Sequence, residues 1–251
     1  MLRLNHLSVL LLSIGASACF ALSPSHIDQV SRLVADTLDS NHGDKYQRYE
    51  SVREITTVLQ AMGTPQNELV YGELSVAVLA ELLDAVGVEE DDAFLDIGSG
   101  DGALVLGAAM LYPEQVRIAR GLELVPGLLE RSQVHAQQLH EKLQVPVEFS
   151  LGDVHCESDE TVASILADST LAVCFATTWS ANNVSAGDKT SLNGRSLPKL
   201  STALTRMPLG SRILLIDGRL SEKDGYRWEG DMKIACPDTA PFSIASLYER
   251  R

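Results

Sequence analysis

The chain has 251 residues, 45% of them hydrophobic and 22% charged, enough apolar material for a packed core and too much for extended disorder. Lys and Arg number 20 against 34 for Asp and Glu, a formal charge of −14. That acidity argues against strong nucleic-acid binding through a phosphate-neutralising surface, and leaves a small molecule or a neutral or basic partner. The sequence has no repeat of solenoid period and no low-complexity segment.

Arg3 is the only charged side chain before Asp28, and it precedes the apolar run Leu7 to Ile14. Ala16-Ser17-Ala18 follows, the small-residue pattern that signal peptidase reads. The run is too short to span a hydrocarbon layer of ~30 Å as a helix. Residues 1–22 therefore read as a targeting presequence that enters the secretory route, with no membrane span left after its removal. Ala16 to Ala21 (Ala-Ser-Ala-Cys-Phe-Ala) is similar to the alanine-phenylalanine cleavage motif of presequences bound for complex plastids, apart from the intervening Cys19. If the segment is not a functional signal, the nucleus is the alternative compartment. Without Cys19 the cysteines are Cys156, Cys174 and Cys236, an odd number without C-x-x-C spacing, which implies neither a disulfide framework nor a zinc site. Cys174 falls within a predicted strand and reads as a small buried hydrophobe.

The mature chain opens with helical spacing at Ile27, Val30, Val34 and Leu38, where Ser25 and Asp28 stand as a capping box. A second helix is predicted over 45–62, closed by Gly63 and Pro65, and a third over 74–86. Glu89 to Asp92 read as a solvated acidic turn. From Ala93 the rhythm changes to strands over 93–97, 116–124, 145–151, 171–175 and 212–216. Helices are predicted between them over 103–111, 128–143, 162–167 and 197–206. Such alternation predicts a doubly wound α/β fold with a mostly parallel sheet covered on both faces. The segments 226–234 and 242–248 have no helix between them and read as a C-terminal antiparallel hairpin. The predicted organisation is a presequence, an N-terminal helical part over 25–90, and a Rossmann-like core over 91–251.

Asp96-Ile97-Gly98-Ser99-Gly100-Asp101-Gly102 lies where the first core strand hands over to a helix, at the edge where open α/β sheets bind ligands. Gly98, Gly100 and Gly102 let backbone approach a ligand closely. Asp96 can accept hydrogen bonds and attract a cation, whereas a dinucleotide pyrophosphate would find it repulsive. Because Ala103 follows, the turn also reads G-x-G-x-x-A, a pattern of nicotinamide-dependent oxidoreductases. Two further carboxylates favour an adenosyl cofactor: Glu123 closes the second strand, where it can take both ribose hydroxyls, and Asp153 follows the third, placed for an adenine amino group.

At these residues the chain resembles class I S-adenosylmethionine-dependent methyltransferases. It is most similar to the histone-lysine methyltransferases known as disruptor of telomeric silencing. The D-L-G-S-G turn of that family matches Asp96 to Gly100, its G-I/V-E matches Gly121-Leu122-Glu123, and its G-D-F matches Gly152-Asp153-Val154. Its Tyr-Gly-Glu loop matches Tyr71-Gly72-Glu73. The resemblance implies the methyltransferase form of the fold, S-adenosyl-L-methionine as cofactor, and Tyr71 to Glu73 folded over its methionine part. It also implies a protein lysine as methyl acceptor. After the fourth strand the family carries Asn-Asn-Phe along the methyl-transfer channel, where this chain has Thr177, Thr178 and Trp179. Hydroxyls can still orient a nucleophile and Trp179 can wall a lysine channel; a plain strand end is the other reading. A small-molecule or non-histone acceptor, an NAD-dependent oxidoreductase, and a cofactor-binding protein without catalysis stay open beside it. His135, His140 and His155 lack metal-ligand spacing and read as exposed or helix-face residues.

The presequence reading has a direct test. N-terminal sequencing of the protein from its native source should begin near Ala18 or Ala21; a mature protein that starts at Met1 would overturn it.

Overall fold

The computed structural model describes residues 22–41, 56–57, 74–176, 182–183, 195–236 and 240–251. The presequence lies outside the described residues, and of the helix predicted over 45–62 only Thr56 and Thr57 lie within them, both helical.

Helix α1 runs Pro24–Asn41 and α2 runs Val76–Val86. The core then alternates β1 (Asp92–Ile97), α3 (Ala103–Leu111), β2 (Val116–Glu123), α4 (Pro126–Leu139), β3 (Val147–Leu151), α5 (Glu160–Asp168) and β4 (Leu171–Phe175). A short ribbon pairs β5 (Asn182–Asn183) with β6 (Arg195–Ser196); α6 (Pro198–Ala203) and β7 (Arg212–Ile216) follow. Strands β8 (Tyr226–Cys236) and β9 (Ala240–Arg250) complete the sheet. Its order is β3-β2-β1-β4-β7-β9-β8, parallel from β3 to β7 and antiparallel through β9 and β8.

The expected fold is present, and element ends moved for local reasons. Ser23, not Ser25, caps α1: the His26 amide donates to its hydroxyl, and Pro24 takes the first helical position, where a missing N–H does no harm. Pro126 opens α4 two residues early in the same way. Pro146 cannot donate to a ladder, so β3 begins at Val147, while the Pro146 carbonyl still accepts from the Ala119 amide.

Alternation along the strands splits the interior in two. Phe94, Ala119, Leu171, Val173, Leu214 and Ile216 share one core with α1, α2 and α3. Leu95, Ile97, Leu122, Ala172, Cys174 and Leu215 face the other way, against α5 and α6. The N-terminal helices thus complete the same core as the sheet. Helix α3 is apolar on all sides and buried throughout its middle, as a helix sandwiched between α2 and the sheet must be. A Cβ on Gly107 would lie 3.0 Å from both methyls of Val76, so glycine lets α2 and α3 approach closely.

The acidic turn departs from expectation at Asp92, which is buried and turned inward. Its two carboxylate oxygens receive one Arg212 nitrogen at 2.7 and 2.5 Å, the Thr170 hydroxyl at 2.7 Å and the Glu89 amide at 2.7 Å. Arg212 also donates to the Gly87 carbonyl. The network ties β1, β4 and β7 together at their amino ends. Asp92 points inward because the first residue of β7, two strands away, supplies a cation. At the far edge, Arg227, Glu229, Asp231 and Lys233 put charge along β8 and discourage pairing with another chain.

Arg212→Met strands a buried carboxylate and should destabilise the fold by about 3–5 kcal/mol. Chemical denaturation monitored by circular dichroism measures this directly, and a loss under about 1 kcal/mol would mean that the network contributes little.

Candidate cofactor site

Strand β1 ends at Ile97, and residues 98–102 turn the chain into α3 at the carboxyl edge of the sheet. Gly98, Gly100 and Gly102 have φ of +81°, +54° and +89°, values that only glycine adopts freely. The amides of Gly98 and Ser99 donate to the Leu122 carbonyl at 2.8 and 3.2 Å, which presses the turn onto β2. Space there is fully used. A Cβ on Gly102 would lie 2.7 Å from the Phe149 ring, and one on Gly121 would lie 2.5 Å from the Ser99 hydroxyl oxygen.

Glu123 closes β2 and is buried at the same edge. One carboxylate oxygen accepts the Leu124 and Val125 amides, both at 2.8 Å; the other accepts the Gly100 amide at 2.7 Å. The turn and the second-strand acid are thus in direct contact. The Glu123 carbonyl takes the Gly152 amide at 2.9 Å, which brings the loop carrying Asp153 and Val154 to the same corner. Asp153 accepts the His155 amide at 2.9 Å in an Asx turn, and Val154 is buried. Arg206 fixes this loop from the far side by donating to the carbonyls of Val154 and Cys156.

Asp96 is also buried, but it receives no hydrogen bond from any described residue. Burial first, and the nearby Glu123 charge second, push its carboxyl up to about 8. Burial raises Glu123 too, but its three amide donors oppose the shift. Of the pair, Glu123 has the amide donors and Asp96 is the one pushed further towards holding a proton. The Ser99 hydroxyl is buried in the same turn without a partner among the described residues. An electronegative corner with acceptor capacity to spare suits a ligand bearing cationic groups and hydroxyl donors, as S-adenosylmethionine does. A pyrophosphate would meet repulsion there.

Tyr71, Gly72, Glu73, Thr177, Thr178 and Trp179 lie outside the described residues. Asp96, Gly98, Ser99, Gly100, Gly102, Glu123, Asp153 and Val154 lie within them, at the carboxyl ends of β1, β2 and β3. Next to the β4 end, Arg195 donates to the carbonyls of Ala176 and Asp217, joining the ends of β4 and β7.

Of the two readings of His135, the helix-face one holds: it lies on α4, wholly buried, and its Nδ1 donates to the Asp101 carbonyl at 2.9 Å. One helical turn earlier, the Arg131 Nε donates to the Asp101 carboxylate at 2.8 Å. Reading the sequence missed this pair. Its signal, two polar residues four apart on a helix, is too common to single out without knowing what they face.

Comparison with known proteins agrees with this geometry. The sequence model of the family described as "Histone methylation protein DOT1" matches residues 50–172. No curated protein matches the chain. Among solved structures, TrmN from Thermus thermophilus superposes with a TM-score of 0.51 at 14% identity, over 74% of this chain and 52% of that one. This chain therefore spans about half of TrmN. An RNA methyltransferase from Salinibacter ruber, solved with S-adenosyl-L-homocysteine, has a TM-score of 0.45 and 19% identity over 71% of this chain and 93% of that one. Geranyl diphosphate C-methyltransferase from Streptomyces coelicolor A3(2), also solved with S-adenosyl-L-homocysteine, gives 0.48 and 12% over 71% and 78%. The chain has the fold of the class I S-adenosylmethionine-dependent methyltransferases, and over residues 50–172 it resembles the family described as histone methylation protein DOT1.

Proposed function

We propose that this chain is an S-adenosylmethionine-dependent methyltransferase acting on a protein lysine, in the manner of the DOT1 proteins it resembles. The observation that carries the reading is the DOT1 match over residues 50–172, which spans the cofactor turn, Glu123 and Asp153 together. Residues 91–251 form the catalytic core in this reading. Glu123 takes the ribose hydroxyls, and with three amides already on its carboxylate it has one further lone pair, so the Gly100 amide yields when both hydroxyls bind. Asp153 receives the adenine amino group and Val154 packs beside the ring. Asp96 faces the cationic part of the cofactor, against the backbone of Gly98, Ser99, Gly100 and Gly102. Tyr71, Gly72 and Glu73 close over the methionine part.

S-adenosylmethionine supplies an activated methyl for in-line displacement. The acceptor nitrogen needs a free lone pair, so a lysine must shed its proton before it attacks. Trp179 walls the channel and, by excluding water, lowers the lysine pKa without a dedicated base. Thr177 and Thr178 orient the amine. A small-molecule acceptor is the second reading, favoured by the threonines where DOT1-type enzymes carry asparagines. Among the described residues no helix is long and apolar enough to cross a membrane. The apolar run Leu7 to Ile14 supports entry into the secretory route, and the segment Ala16 to Ala21 supports onward transfer to a complex plastid.

Two experiments test these assignments. Transfer of labelled methyl from S-adenosylmethionine to lysine-rich protein substrates should be detectable, and Trp179→Ala should lower it tenfold or more. Its cofactor affinity should stay within about threefold, since a channel wall acts in the transition state. Label appearing only in small molecules would overturn the lysine reading, and unchanged transfer by Trp179→Ala would remove it from the channel.

The second concerns pH. A cationic group opposite Asp96 favours its ionised form, so cofactor binding expels the proton held below about pH 8. Affinity should therefore tighten as pH rises towards about 8, by up to about tenfold per unit, and then level off. Calorimetric titration of parent and Asp96→Asn isolates this effect, because the amine of the cofactor titrates equally in both. Parallel pH profiles would rule out Asp96 as the group that meets the cation.

A further inference from the structure

The cofactor turn is held from two sides, and only one of them belongs to the corner that faces the ligand. Glu123 grips the Gly100 amide from β2. On the other side, α4 presents Arg131, Ser132 and His135 to the next residues of the turn. The His135 Nδ1 donates to the Asp101 carbonyl at 2.9 Å, and a carbonyl can only accept, which fixes the tautomer with hydrogen on Nδ1. Arg131 binds the Asp101 carboxylate at 2.8 Å, with the acid only 7% exposed. The Ser132 Cβ would stand 3.0 Å from any Cβ on Gly102.

We infer that Arg131 and His135 are positioning residues for the cofactor, acting through Asp101 to fix the glycine turn. This rests on the reading of residues 98–102 as the cofactor-binding turn.

A turn with three left-handed glycines is intrinsically loose, because each glycine has many alternatives to lose on ordering. The peptide between Asp101 and Gly102 has none left. Its carbonyl is held by His135, and its N–H donates to the Ser99 carbonyl at 2.9 Å. Arg131 holds the Asp101 side chain independently of this, and the Gly102 carbonyl accepts the Leu106 amide at 3.0 Å as the first bond of α3. The shape of the turn is thus transmitted from the buried face of α4 to the start of α3. Neither Arg131 nor His135 needs to touch the cofactor for its loss to be felt there. Without them the turn samples other shapes, and binding bears the cost of ordering it.

The test compares calorimetric affinity for S-adenosylhomocysteine with thermal stability in a set of variants. His135→Leu keeps the volume and removes the donor; His135→Asn retains a side-chain N–H near the position of Nδ1. Arg131→Leu removes the second hold, the one on the Asp101 side chain. Arg212→Met, at the opposite edge of the sheet, controls for loss of stability alone. His135→Leu should weaken binding about tenfold, the scale of one buried hydrogen bond, and His135→Asn should return it to within about threefold of the parent. Arg131→Leu should weaken it about fivefold, and Arg212→Met should leave it within about twofold. If His135→Leu does not fold, Arg131→Leu with its Arg212→Met control decides the matter. Parent-like affinity in Arg131→Leu and His135→Leu overturns the inference. So does equal weakening in Arg212→Met, which would make the effect one of general stability. A parent that fails to bind S-adenosylhomocysteine overturns instead the reading of the turn itself.

Discussion

Strand β1 carries a buried aspartate at each end, and the two are treated in opposite ways. Asp92, at the amino end, is met by Arg212, by the Thr170 hydroxyl and by the Glu89 amide. Asp96, at the carboxyl end, receives no hydrogen bond from any described residue and lies within electrostatic reach of a second buried acid. A buried carboxylate without donors or a counter-charge is costly to ionise. The fold satisfies that demand where strands must be aligned and leaves it unmet at the candidate cofactor site. This asymmetry separates the two edges of the sheet.

The geometry of the carboxyl edge follows from the need to supply hydrogen-bond donors to the buried Glu123 carboxyl beside Asp96. Three backbone amides do this, and one of them, Gly100, comes from the turn itself. To bring that amide to Glu123 the chain must turn sharply over β2, which demands left-handed backbone at Gly98, Gly100 and Gly102 and no side chain at Gly121. Phe149 on β3 and Ser132 on α4 then close against the turn. The glycines, the acid and the neighbouring strand form one arrangement, so a change in any of them reaches the others.

The amino edge supports this from a distance. The Asp92 network holds β1 and β7 in register through residues far apart in sequence, while α1 and α2 cover the face of the sheet that carries Phe94 and Asp96. Helix α4 therefore covers the sheet and also bears on the turn, through Asp101.

The sequence by itself determined the alternation of strands and helices, the C-terminal hairpin, the glycine turn, and the acids at the ends of β1, β2 and β3. These are local properties, set by runs of apolar residues, by glycine where φ must be positive, and by a carboxylate at the last position of a strand. Helix starts were less legible, because Pro24 and Pro126 can begin a helix before any periodicity is visible. Only the tertiary structure decided that Asp92 turns inward, that His135 is buried, and that Arg131 meets Asp101. Each depends on a partner brought close by the order of strands in the sheet. A charge run or a histidine on a helix looks the same in sequence whether its partner is water or a buried carbonyl. The energetic distinction between Asp96 and Asp92 arises largely in the same way: two aspartates four residues apart on one strand differ chiefly in what the neighbouring strands place opposite them.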